Sequence, residues 1–137
     1  MADGDYYASY ADIQYILMNA GLGTAGNTMF DENAIETALK LAQGKIHLFL
    51  NLDTLTSITG DVYIEVLKSI QIHLVHQRII AARHAKENNL ADTTVLTTFW
   101  QLSPQFTYQQ KDELEIIKRR VNGYGIYNYN IRTGSRI

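Results

Sequence analysis

Cysteine is absent from this chain of 137 residues, and proline occurs only once. Without cysteine there is no disulfide framework and no thiol nucleophile, and the composition suits a reducing compartment. The chain also lacks the run of roughly 20 apolar residues that a transmembrane helix needs, and residues 1–5 lack a signal-peptide pattern. We therefore expect a soluble protein made in the cytoplasm, with one domain and a tail.

Acidic residues are missing from the C-terminal residues 116–137, which contain five basic residues. Residues 1–65 show the opposite balance, with nine acidic residues against Lys40 and Lys45, so the net charge of −2 hides a polarity along the chain. An acidic front and a basic rear suit head-to-tail self-association, and the rear alone suits phosphate binding. A solvated charge distribution without a partner is the third interpretation.

Apolar spacing predicts an all-α fold, a small bundle of about four helices with one long central helix. We assign residues 1–122 to this helical domain and residues 123–137 to an extended C-terminal docking tail. Between the third and fourth helices, residues 88–106 are predicted to be an extended segment. The reason is that residues 93–100 are rich in β-branched and aromatic side chains, which favour a strand or an ordered loop. Pro104 closes this segment.

Capping patterns place the first two helices. Ser9 and Asp12 have the spacing of a capping box, and the helix that follows should stop at Gly21 and Gly23. Asp31 is the expected cap of a second helix that runs to about residue 50. The apolar faces predicted for these helices are Ile13, Ile16, Leu17 and Ala20 in the first, and Ile35, Leu39, Ala42, Ile46, Phe49 and Leu50 in the second.

The third helix is expected from about Asp61 to Glu87, a stretch without glycine or proline that makes a rod of about 40 Å. Its predicted buried face consists of Tyr63, Val66, Leu67, Ile70, Leu74, Gln77, Ala81 and Ala85. Four further apolar residues of this helix are Ile72, Val75, Ile79 and Ile80. We expect some of them to be buried only when copies of the chain assemble, unless the helix is central to its own bundle. Leu41 and Leu48 lie outside the stripe of the second helix and indicate another contact surface, either inside the domain or against another subunit.

The fourth helix is predicted to begin after Thr107, which forms a capping box with Gln110, and to run to about Asn122 with Gly123 as its stop. Its inward residues are Leu114, Ile117 and Val121. Its last turns contain Lys118, Arg119 and Arg120, where positive charge suits the helix dipole.

The glycines at positions 21, 23 and 26 match the G-x-G-x-x-G string of dinucleotide-binding turns. The string follows a predicted helix instead of a strand, and no acidic residue lies about twenty positions further on to hold a ribose. We therefore interpret it as a loop between helices and predict no cofactor.

Histidine and serine offer no catalytic pattern. His73 and His76 are three residues apart on the third helix, and a pair of this kind can bind zinc, but His84 lies about 12 Å further along the helix axis and no carboxylate is one turn from the pair. We expect these histidines and His47 to lie on polar faces or interfaces. The five serines include no nucleophile elbow, so the chain is predicted to have no metal site and no catalytic site.

The tail is the most informative segment, because tyrosine and isoleucine alternate there with Asn, Gly and Arg. This spacing suits an extended strand and excludes an amphipathic helix. A lone strand has unpaired backbone donors and acceptors, so it favours addition to a sheet edge or insertion into a groove of a neighbouring subunit. The predicted partner-docking residues are Tyr124, Ile126, Tyr127, Tyr129, Ile131, Arg132 and Arg136, with Lys118, Arg119 and Arg120 as the basic helix end of the same docking unit.

Nucleic-acid binding is the alternative for this segment. Its arginines are interleaved with tyrosines that can stack on bases, and five positive charges predict a marked salt dependence. Against it, the rest of the chain is acidic and no reading helix or RNP-type pattern is present.

The order of these elements resembles the head-tail connector proteins of tailed bacteriophages, also called adaptor or head-completion proteins. The resemblance covers roughly residues 10–134 and is one of pattern. It includes Tyr-Ala-Asp-Ile at 10–13, Asp-Glu-Asn-Ala-Ile at 31–35, Ala38, Leu39, Ala42, the Phe49-Leu50 pair, the long third helix and the short helix that runs into Gly123. The chain departs from the family at residues 51–60, where a proline-containing turn is common.

The resemblance implies a non-enzymatic virion protein of the neck, present in the host cytoplasm during assembly. Such adaptors form a homo-oligomeric ring, usually a dodecamer, beneath the portal protein of the filled capsid. The ring extends the DNA channel, lies close to genomic DNA without specific binding, and contacts the next neck or tail protein. In this family the C-terminal segment commonly docks on the portal.

Overall fold

The computed structural model describes residues 6–24, 27–28, 30–52 and 61–121. These residues form a helical bundle, which confirms the predicted all-α class with one long central helix. The helices are α1 (Tyr10–Asn19), α2 (Glu32–Phe49), α3 (Asp61–Glu87), α4 (Asp92–Gln101) and α5 (Tyr108–Val121), and between α1 and α2 a short antiparallel pair joins β1 (Gly23–Thr24) to β2 (Asn27–Thr28).

The first two helices begin where the capping patterns predict. The amide of Ser9 donates to Asp12 Oδ2 at 2.9 Å, and the amide of Asp12 donates to Ser9 Oγ at 3.4 Å, which completes a capping box. At the start of α2, Asp31 Oδ1 accepts a hydrogen bond of 2.7 Å from the amide of Ala34. Gly21, with φ of 74°, follows the end of α1 and adopts the left-handed conformation that favours glycine.

Helix α3 lies at the centre of the bundle and contacts α1, α2, α4 and α5. Its bounds are those predicted, and Asn89 follows its end with a left-handed φ of 60°. The buried face is wider than predicted: Leu67, Ile70, Leu74 and Ala85 are buried as expected, Tyr63, Val66, Gln77 and Ala81 are half-buried, and Gln71, Val75, Ile79 and Ala82 are also buried.

The predicted strand at residues 93–100 is wrong, because these residues belong to helix α4. The helix accommodates two of the threonines by pairing their hydroxyls internally, since Thr97 and Thr98 donate to the carbonyl oxygens four residues earlier at 2.7 and 2.8 Å. Val95 and Phe99, one turn apart, are fully buried. Tertiary packing of this face therefore overrides strand propensity. Of the predicted segment 88–106, residues 88–91 connect α3 to α4, and residues 102–106 belong to the connection between α4 and α5.

The expectation that apolar residues of α3 are buried only in an assembly is wrong for Val75 and Ile79. Val75 and Ile79 have no exposed surface in the single chain, while Ile72 is half-buried and Ile80 remains exposed. The additional helix, α4, packs directly against α3. The alternative expectation, a long helix central to its own bundle, is the correct one for Val75 and Ile79.

Arg78 of α3 forms hydrogen bonds with the last turn of α4. Its guanidinium donates to the carbonyl oxygens of Phe99 and Trp100, both at 2.9 Å, and lies over the Trp100 ring. These carbonyls belong to the last turn of α4, where unpaired acceptors and the helix dipole favour a cation. Burial lowers the pKa of Arg78 from its ordinary value. No pattern in the sequence predicted this contact of Arg78.

Helix α5 begins with the predicted capping box. The amide of Thr107 donates to Gln110 Oε1 at 3.0 Å, and the amide of Gln110 donates to Thr107 Oγ1 at 3.1 Å. Leu114 and Ile117 are buried as predicted. Val121 is exposed instead of inward, because it is the last residue of α5 and lies one turn beyond the last buried position.

A buried amide cluster joins the N-terminal segment to α2 and α3. Gln71 Oε1 accepts a hydrogen bond of 2.7 Å from the amide of Ala8, and Gln71 Nε2 donates to the carbonyl of Leu39 at 2.9 Å and to Gln43 Oε1 at 3.1 Å. Gln43 Oε1 also accepts from the amide of Tyr7 at 3.2 Å. Both glutamine side chains are fully buried, so each hydrogen bond replaces one to water.

We expect Gln71→Ala to lower the free energy of unfolding by on the order of 3 kcal/mol, because it leaves the amide of Ala8 and the carbonyl of Leu39 buried without this partner. Urea denaturation followed by circular dichroism measures this loss. Gln109→Ala makes the same chemical change at an exposed position of α5 and is expected to have an effect below about 0.5 kcal/mol. Equal losses of stability in the two variants would contradict the role assigned to the buried Gln71 side chain.

Candidate interaction surfaces

The basic end of α5 lies where the tail begins. Lys118 is half-buried, with its ammonium 5.8 Å from the centre of the Phe49 ring of α2, whereas Arg119 and Arg120 are exposed. The three cations occupy the last turn, as predicted, where they complement the helix dipole. The predicted docking residues of the tail lie outside the described residues, namely Tyr124, Ile126, Tyr127, Tyr129, Ile131, Arg132 and Arg136.

An apolar strip on α2 faces away from the core. Leu41 and Leu48, seven residues apart, are 51% and 80% exposed, and Thr37 lies one turn before Leu41 on the same face. Leu41 and Leu48 lie outside the buried face, so the predicted contact inside the domain is wrong, and a contact with another subunit stays a prediction. We call these three residues the α2 strip.

Two lysines border the α2 strip, one on each side. Lys40 is exposed and lies one turn from Thr37, while Lys45 lies one turn from both Leu41 and Leu48. The ammonium of Lys45 is 5.8 Å from the centre of the Phe106 ring, so part of its stem is held against the connection before α5. The strip is therefore an apolar surface with positive edges.

A shallow groove lies on the first half of α3, lined by Glu65, Lys68, Ser69 and Ile72. We call these four residues the α3 groove. Val62, one turn before Glu65, is 78% exposed and extends its apolar surface. Lys68 Nζ is 3.8 Å from Asp12 Oδ2 of α1, so a neighbouring carboxylate offsets its charge. Glu65 is exposed and gives the groove a negative edge.

The structure agrees with the interpretation of the glycine string as a connection between helices. It follows α1, and its described residues include Gly21 and β1. The carbonyl of Gly21 accepts a hydrogen bond of 2.6 Å from Lys86 Nζ at the end of α3. That contact ties the connection to the bundle.

The histidines occupy different environments. His47 is buried, contrary to the prediction of a polar or interface position, because the face of α2 at this point packs against Tyr7, whose hydroxyl lies 2.7 Å from His47 Nε2. His73 is half-buried, and its Nδ1 accepts from Gln110 Nε2 at 3.0 Å and from Gln77 Nε2 at 3.3 Å. His84 is exposed. Among the described residues, no group of three His, Asp or Glu side chains is placed to hold a metal ion.

His73 connects α3 to the start of α5. Gln110 caps α5 with its carbonyl oxygen and contacts His73 with its amide nitrogen. Gln77 pairs with the backbone of Gln105 in both directions, at 3.0 and 2.6 Å. Both glutamine nitrogens are donors, so they contact His73 Nδ1 as an acceptor. These contacts hold the start of α5 against α3.

Comparison with known proteins gives no relative: no family model, curated protein or solved structure matches this chain. In the part of the chain that the structure describes, no helix combines the length and apolar character needed to cross a membrane.

Acid is expected to destabilise the fold through His76. Burial, and secondarily the charges of His73 and Arg83, lower the pKa of His76 below its ordinary value. Below about pH 6.5 the unfolded chain therefore binds more protons at this position than the folded chain, so stability falls as the pH falls towards the folded pKa. Denaturation midpoints between pH 7.5 and 5.0 should fall less in His76→Gln than in the unmodified chain.

His84→Gln is the matched control for this measurement, because the replaced ring is exposed at the end of α3. It should retain the acid sensitivity of the unmodified chain. If His76→Gln and His84→Gln show the same pH dependence as the unmodified chain, His76 is not the source of the acid sensitivity.

Proposed function

We propose that this chain is a structural virion protein, a head-tail adaptor whose copies form a ring under the portal of a tailed bacteriophage. The ring extends the DNA channel and joins the capsid to neck or tail components. The observation that carries the proposal is the pair of exposed apolar surfaces on one small bundle, the α2 strip and the α3 groove. Exposed aliphatic side chains such as Leu48 and Val62 favour contacts with other subunits.

The placement of α5 supports attachment through the tail. Lys118 packs over Phe49, and the capping box at Thr107 together with His73 fixes the other end of the helix. Helix α5 ends at Val121, one turn after the residue that packs against α2. In the proposal, residues 1–122 form the ring and residues 123–137 attach to a neighbouring protein, the portal, with Arg132 and Arg136 pairing acidic groups there.

Deleting residues 124–137 is expected to abolish binding to the portal protein while leaving the helical circular dichroism signal and the denaturation midpoint intact. The reason is that the removed residues follow the last helix, which ends at Val121. Co-sedimentation of the full-length and truncated chains with the cognate portal measures the difference. Retention of portal binding by the truncated chain would show that the tail is not the attachment device.

The ring itself is tested by native mass measurement and particle imaging of the full-length chain, alone and with the portal. The expected result is a closed symmetric ring in at least one of these samples. A chain that remains monomeric in both, at the highest soluble concentration, would refute the adaptor assignment. The full-length chain is used because the tail belongs to the proposed assembly.

Nucleic-acid binding is the second candidate, favoured by the exposure of Arg119 and Arg120 beside the start of the tail. If it is correct, affinity for single-stranded or duplex DNA should fall by at least about tenfold between 50 and 200 mM salt, because bound cations are released from the phosphates. Fluorescence anisotropy at the two salt concentrations measures this change. Arg119→Ala with Arg120→Ala should then weaken binding, and absence of salt-sensitive binding removes this candidate.

A further inference from the structure

The α2 strip and the α3 groove both expose apolar surface. Leu48 is 80% exposed, so its side chain projects from the last turns of α2. The α3 groove is a shallow depression on one face of α3, and the half-buried side chain of Ile72 contributes apolar surface to it. A contact between these two surfaces on neighbouring copies removes apolar area from water on both.

The charges at the edges of the two surfaces are complementary. Lys40 and Lys45 are the only lysine or arginine residues among the first 65, and both border the α2 strip. The α3 groove has the opposite character, since Glu65 is exposed while the charge of Lys68 is offset by Asp12. Complementary edges of this kind select the partner and its orientation.

The spacing of the residues on the two helices matches. Eight residues separate Lys40 from Leu48, which is about 12 Å along α2, and seven separate Glu65 from Ile72, which is about 10.5 Å along α3. Parallel packing therefore places Leu48 at Ile72 and Lys40 beside Glu65 at the same time. In this register Thr37 of the α2 strip lies near Val62.

We propose that a second copy of this chain covers the α2 strip, with Leu48 of one copy seated in the α3 groove of the next and Lys40 paired with Glu65. The inference rests on the proposed function, because it specifies the contact between neighbouring copies of the ring. Since the strip and the groove are different surfaces, each copy offers one of each. Such a heterologous contact propagates and closes as a ring, whereas a contact of strip with strip would stop at a dimer.

Charge reversal tests the pairing. Lys40→Glu and Glu65→Lys should each weaken assembly by at least about tenfold, because each places like charges together at every contact. Lys111→Glu and Asp112→Lys reverse exposed charges on α5 and are the matched controls, which should assemble as the unmodified chain does. Analytical ultracentrifugation measures the association of each variant, and circular dichroism confirms that each is folded.

Mixing the two variants gives the sharper result. Where the strip of a Lys40→Glu copy meets the groove of a Glu65→Lys copy, the two reversed side chains again have opposite charges. At the following contact around the ring, the unmodified Lys40 faces the unmodified Glu65. An equimolar mixture is therefore expected to recover assembly that neither variant achieves alone, with the two alternating. Recovery in the mixture cannot come from general destabilisation of either variant.

Engineered cysteines report the contact directly, because the chain contains none of its own. Leu48→Cys combined with Ser69→Cys should give a ladder of disulfide-linked dimers, trimers and larger species under oxidation. Leu48→Cys combined with Arg83→Cys, an exposed position further along α3, is the control and should give no ladder. If the single variant Leu48→Cys forms its disulfide-linked dimer as fast as the double variant Leu48→Cys with Ser69→Cys forms its ladder, the packing is strip to strip and the proposal is overturned.

The outcomes separate this inference from the adaptor assignment. If the unmodified chain, the Lys40→Glu variant and the Glu65→Lys variant all form the same closed ring, the adaptor assignment stands and the proposed contact is wrong. If the unmodified chain stays monomeric with and without the portal, both are wrong. Loss of the ring in each variant, recovery in the mixture and a disulfide ladder together support the contact.

Discussion

The bundle depends on the buried amide of Gln71, which holds three parts of the chain together. It accepts from the amide of Ala8, donates to the carbonyl of Leu39 and donates to the side chain of Gln43. These bonds position the N-terminal segment between α2 and α3, next to the apolar core. A buried polar group that is fully paired specifies one arrangement, since any shift of the helices leaves donors and acceptors unpaired away from water. The outward faces of α2 and α3 keep fixed positions for the same reason.

Local patterns in the sequence predicted the elements that local chemistry determines. The capping residues Ser9, Asp31 and Thr107 give the starts of α1, α2 and α5, and the absence of glycine and proline from 61–87 gives the length of α3. Residues 93–100 were misassigned because their threonines favour strands in isolation, whereas Val95 and Phe99 gain more from burial against the bundle.

Long-range pairing was out of reach of the sequence patterns. In the sequence, Gln43 and His47 are polar residues of a predicted helix. Their hydrogen-bond contacts with Tyr7 are formed only in the fold. The α2 strip was predictable in part, because Leu41 and Leu48 fall outside the buried stripe. The α3 groove was not, since the spacing of its four residues places them on one face of α3 and does not tell whether other helices cover that face. The predicted docking tail remains a sequence prediction.

The hydrogen bond between Ala8 and Gln71 joins residues 63 positions apart and has a consequence for the order of folding. During synthesis α2 emerges first and offers Gln43 and His47 to Tyr7, whereas the amide of Ala8 has to wait for Gln71 of α3. Closing this longer loop costs entropy that the assembled core repays. A chain that ends before Gln71 would therefore keep the contacts of Tyr7 with α2 and lose the hydrogen bond that joins the N-terminal segment to α3.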